Sequence, residues 1–147
     1  MLTSRSRNLW CTVLSAAGVL TAASGIAFVF LYDTAVFADG RAGVNAAFWP
    51  DVVADPALRR YQHWIHAVLG ATMAGWGITI AALAHWPLRR SEGWAWWTLA
   101  VSVLTWCLFD TSASAYFGVA FNIRVNIVAA LPLTVPLIAL RPRGVRQ

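Results

Sequence analysis

The sequence predicts an all-α membrane protein, a four-helix transmembrane bundle running up-down-up-down with both termini cytoplasmic. Three observations predict it: four apolar runs of membrane-spanning length, tryptophans at the run ends, and arginines gathered on alternate connections. Of 147 residues, 59% are hydrophobic and 12% charged, with a mean hydropathy of +0.61. A soluble domain carries about a quarter charged residues, so that class is excluded. The net charge of +5 comes from arginine alone, because the chain contains no lysine, and its clustering reads as membrane topology and not as nucleic-acid binding.

Each run approaches the roughly 20 apolar residues needed to cross a hydrocarbon core: Leu9 to Tyr32, Trp64 to Trp86, Trp94 to Gly118, and Phe121 to Leu140. Backbone amides in lipid have no water to bond, so the runs must be helices. The first run follows Arg5 and Arg7 as a signal peptide would, and Ala35 and Ala38 offer cleavage-site chemistry, but the run exceeds the roughly 7–15 apolar residues of a signal sequence. It reads as a retained span. Trp10, Trp64, Trp86, Trp94, Trp96 and Trp97 mark span ends, where an indole ring and its N–H favour the headgroup boundary.

Orientation follows from the arginines. Arg5 and Arg7, Arg89 and Arg90, and Arg141, Arg143 and Arg146 belong inside. The long connection from Asp33 to Arg60 sets Asp33, Asp39, Asp51 and Asp55 against Arg41, Arg59 and Arg60, and fits the outside. Its length and aromatic content suggest a segment lying on the bundle or in the outer interface, with room for a short helix. The fourth span contains Pro132 and Pro136, which predict a kink near Leu131. No linker divides the chain, so residues 1–147 form one domain.

In the second span His63, His66, Gly70, Ala74, Gly77, Ala81 and Ala84 fall on one stripe. Ala17, Gly18, Thr21, Ala22 and Gly25 offer a small-residue face on the first. Small side chains let helices approach closely in lipid, so both faces point inward. Cys11 and Cys107 lie in apolar runs without metal-type spacing and read as small core residues.

With this topology, polar residues of all four spans gather at the outer end: Asp33, then Tyr61, His63 and His66, then Asp110, Ser112, Ser114 and Tyr116, then Asn122 and Asn126. Asp110 is the one acidic residue in its apolar run, roughly 24 Å into a core about 30 Å thick. An ionisable residue in a span is a functional candidate. The ligand-binding candidates are therefore His63, His66, Asp110, Tyr116, Asn122 and Asn126. Asn122 and Asn126, one turn apart, should face inward; Arg124, roughly 200° round from Asn122, should reach lipid headgroups.

Carboxylate and imidazole together permit acid/base chemistry, yet no closed metal motif, Walker loop, dinucleotide fingerprint or Ser-His-Asp signature is present. Haem would need opposed ligands, whereas His85 lies roughly 28 Å along the helix from His66. No cofactor and no metal is expected. The reading is a non-enzymatic accessory or scaffold subunit, with membrane lipids and a membrane-protein partner or second copy as its contacts. The alternatives are a lipid- or small-ligand-binding bundle, open to enzymatic activity, and a subunit of an oligomeric channel or transporter.

The stretches "GATMAGWG", "RRSEGWAWW", "FDTSASAYFG" and "NIRVN", which lie between Trp64 and Leu140, resemble small four-helix bacterial inner-membrane proteins of uncharacterised function. The resemblance covers about half the chain. It implies the architecture and a multi-pass location in a bacterial inner membrane, and transfers no catalytic residue.

Overall fold

The computed structural model describes residues 3–51 and 55–142. Arg143 and Arg146 of the basic tail lie outside the described residues. The described residues form five α-helices and no strand: α1 (Ser4–Leu31), α2 (Ala38–Phe48), α3 (Pro56–His85), α4 (Gly93–Tyr116) and α5 (Ala120–Ala139), with a 3-10 turn at Ala35–Phe37. Four of them, all but α2, are long and apolar enough to cross a membrane.

Two helices begin earlier than their apolar runs, because capping and not hydropathy sets a helix start. The Thr3 hydroxyl accepts from the Ser6 amide at 3.1 Å and starts α1 five residues before Leu9. Asp55 accepts from the Ala57 amide at 3.2 Å, and Pro56 occupies the first helical position, where a missing N–H is harmless. The helix thus takes Pro56 to Arg60 from the expected connection. Conversely, α4 stops at Tyr116 in a Schellman motif. The Val119 amide bonds to the Ser114 carbonyl at 2.8 Å and the Gly118 amide to Ala115 at 3.2 Å, with Gly118 at φ 72°. That turn folds α5 straight back onto α4. Through Pro132 and Pro136 α5 remains one helix.

The two small-residue faces meet. A Cβ placed on Gly18 would lie 2.6 Å from the Ala81 nitrogen and 2.8 Å from the Gly77 oxygen, and one on Gly25 would strike Gly70 and Ala74 backbone. Gly18 faces Gly77 and Gly25 faces Gly70, so α1 and α3 are antiparallel, backbone on backbone. Continuing that register brings Tyr32 beside His63, with ring centroids 5.7 Å apart.

An apolar core fills the Arg89 end of the bundle. Leu14, Ile80, Leu99 and Leu133 are buried there with Cys11, Ala84 and Trp96, and the Trp96 indole donates to the Leu137 carbonyl at 2.8 Å. At the opposite end α2 lies over the helix termini, its Gly40 and Gly43 against the Phe121 ring. Asn45 of α2 accepts from the Gln62 side chain at 2.8 Å. Around the outside, Leu20, Phe30, Ile78, Leu104, Phe109, Val128 and Ile138 stand exposed. So much uncovered apolar surface is at home in lipid and not in water.

Gly77→Ala should lower stability by about 1–3 kcal/mol, since its methyl meets the Ala22 and Gly18 backbone, which cannot yield without parting the helices. Gly75→Ala meets nothing within 4 Å and should be neutral or stabilising. Thermal unfolding of both variants in one detergent checks the contrast; equal effects would refute the backbone contact.

Candidate functional site

The α2-covered end holds all the expected site residues, but their hydrogen bonds divide them into two sets. In the first, α3 presents His63 and His66 to the end of α1. His63 places Nδ1 2.8 Å from the Asp33 carboxylate and Nε2 3.2 Å from the Val29 carbonyl. Each ring nitrogen of His63 therefore faces an oxygen of α1 or of the residues that follow it. The pair is half exposed, and such pairs contribute little to stability. His66 donates from Nδ1 to the Gln62 carbonyl at 2.7 Å, one turn back on its own helix. Its ring stacks on Tyr32 with centroids 4.2 Å apart.

Tyr32, just past the end of α1, is 2% exposed and sits at the centre of this set. Phe37 and both histidines surround its ring, and the Arg41 guanidinium lies 5.6 Å from its centroid. Arg41 also donates to the Tyr32 and Thr34 carbonyls, which pins α2 to the end of α1. The Tyr32 hydroxyl is buried with no hydrogen-bond partner among the described residues.

Asp110 anchors the second set. Its carboxyl accepts from the Trp106 indole at 3.0 Å and the Asn122 amide at 2.7 Å, while the Ser114 hydroxyl, 3.3 Å from the carboxyl, makes its shorter contact, 2.8 Å, to the Asp110 backbone carbonyl. Asn122 reaches the Ser114 hydroxyl as well, at 2.8 Å. Asn126, one turn further and 5% exposed, donates to Thr111 at 3.3 Å. Arg124 is exposed. Tyr116 is 84% exposed, edge-on to Phe117, and makes no side-chain hydrogen bond among the described residues. Ser112 is exposed also.

Among the described residues no hydrogen bond joins His66 to Asp110 or Asn126, and no group of three metal-ligating side chains occurs. An open pocket of about 530 Å³ at this end is lined instead by Asp33, Pro56, Arg59, Arg60 and His63. In the sequence Arg59 and Arg60 read only as charges balancing nearby aspartates. The signal that places them is the Asp55–Pro56 helix start, which puts both in the first turns of α3.

Fold and site together define a small all-helical protein with four helices able to cross a membrane and a polar, helix-covered end. Comparison with known protein families, with curated proteins and with solved structures gave no match.

Two stability measurements probe the site. In a double-mutant cycle, Asp110→Leu and Asn122→Leu should couple by about 0.6–1.7 kcal/mol, the range for polar contacts between helices in lipid; additive effects would show that the contact contributes nothing. Tyr32→Phe should leave stability unchanged or raise it, because it removes a buried hydroxyl without a partner. A clear loss of stability in denaturant titration would reveal a bonded hydroxyl.

Proposed function

We propose that this chain is a multi-pass integral protein of a bacterial inner membrane, up-down-up-down with both termini cytoplasmic, acting as a non-enzymatic accessory or scaffold subunit. The observation that carries this reading is the use of polar side chains as ties between helices. The Asp110 carboxyl is held by the Trp106 indole and by the Asn122 amide, which links α4 to α5. His63 links α3 to α1 through Val29 and Asp33. Groups held this way stiffen a bundle, and a stiff bundle with exposed apolar flanks suits side-by-side packing with another membrane protein or a second copy. In this reading Arg124 meets lipid headgroups.

A second reading, a lipid- or small-ligand-binding bundle, draws support from the open pocket beside Asp33, Arg59, Arg60 and His63. Its two guanidiniums suit an anionic ligand. The candidates Asp110, Asn122 and Asn126 would then support the site's end of the bundle without touching the ligand.

Extraction in mild detergent followed by size-exclusion chromatography and mass spectrometry separates the two. The scaffold reading expects a stoichiometric protein partner or a defined homo-oligomer. A strictly monomeric protein without a partner would overturn it, and a small molecule retained by that monomer would favour the second reading.

A further inference from the structure

The opposite end of the bundle carries an arrangement that neither reading uses. Arg7, in the first turns of α1, donates from Nη1 to the Ser91 hydroxyl at 2.6 Å. Arg89, in the turn between α3 and α4, donates from Nη2 to the Thr12 hydroxyl at 2.8 Å. The two bonds cross between the same pair of chain segments, so both guanidiniums lie at the same end of the bundle on different elements. Ser91 holds its position at φ 63°, a left-handed conformation that non-glycine residues seldom adopt.

These anchors are neutral. Among the described residues neither guanidinium has a carboxylate within ion-pair distance, and the Glu92 carboxylate instead accepts from the Trp94 indole at 2.7 Å. The Nε atoms of both Arg7 and Arg89 are buried without a hydrogen-bond partner. Each guanidinium uses one Nη donor on its neutral anchor, at an exposed contact, and its remaining Nη N–H groups are not buried. The arrangement is therefore open to an anion with several acceptor oxygens. Its level along the bundle indicates which: Trp86, Trp94 and Trp97 are all well exposed around the same end, as indoles are at the headgroup boundary. Phosphate is the anion at that depth, and planar guanidinium forks bind its oxygens with directed bonds.

We propose that Arg7 and Arg89 form a seat for the phosphate of an anionic phospholipid. The bound phosphate accepts from the Nη N–H groups not used by Ser91 and Thr12 and balances the two charges, while the acyl chains run along the exposed apolar flanks. The site rests on the membrane reading, whose failure would show separately, as a chain monodisperse without detergent.

Native mass spectrometry of the full chain in detergent, titrated with phosphatidylglycerol or phosphatidylcholine, tests it. Wild-type protein should retain phosphatidylglycerol preferentially, and Arg7→Gln with Arg89→Gln should weaken retention about tenfold or more, the loss expected for hydrogen bonds to charged groups. Arg90→Gln with Arg141→Gln removes the same charge at the same end and should change retention by no more than about twofold. Thr12→Val with Ser91→Ala cuts the intramolecular anchors but keeps the guanidiniums, and should preserve most lipid binding. Equal losses in the two arginine pairs would overturn the seat. So would loss of lipid from the anchor variant as large as that from Arg7→Gln with Arg89→Gln, which would mark the arginines as structural ties. Displacement of the lipid by excess inorganic phosphate would assign the site to a free anion and overturn the phospholipid assignment.

Discussion

The backbone contact between α1 and α3 is the constraint on which both ends of the molecule depend. Lipid offers helices no hydrophobic reward for leaving it, so association in a membrane rests on close packing and hydrogen bonds. Gly18 against Gly77 and Gly25 against Gly70 allow that closeness, and they also set the register. Helices in contact at the backbone cannot slide without driving a side chain into a carbonyl. One register then places His63 next to Val29 and Asp33 at one end, and Thr12 next to Arg89 at the other.

The two halves of the bundle are held by different physics. Around the Arg89 end the four long helices share a packed apolar core with Leu14, Ile80, Leu99 and Leu133. Towards the α2 end, polar side chains take over: the Asp110 set between α4 and α5, and the aromatic cluster around Tyr32 beneath α2. Hydrogen bonds are directional and apolar packing is not. The polar end therefore specifies one arrangement of helix ends, and α2 locks over it through Arg41, Asn45 and the Phe121 contact.

Asp110, a functional candidate in the sequence, also ties two helices together in the fold. A carboxyl in an apolar run attracts attention because an unpartnered one is unfavourable in lipid. Trp106 and Ser114 lie one turn to either side of it on the same helix, a spacing that the sequence displays. The donor Asn122 comes from the next helix and reaches Asp110 across the tight turn at Gly118. With the Trp106 indole and Asn122 on its carboxyl, the residue ties α4 to α5.

The sequence by itself determined the number of long helices, their approximate limits and their inward faces, because apolar length and small-residue periodicity are properties of one segment at a time. The inward Asn122 and Asn126 and the exposed Arg124 followed from the same helical geometry. Only the tertiary structure decided which polar residues share a site. That His66 stacks on Tyr32 while Asp110 pairs with Asn122, and that Arg7 crosses to Ser91, depends on helix register and on which helices are neighbours. Periodicity fixes a residue's angle around its own helix but carries no information about the axial offset between two helices, and side-chain hydrogen bonds, which fail within about an ångström, depend on that offset.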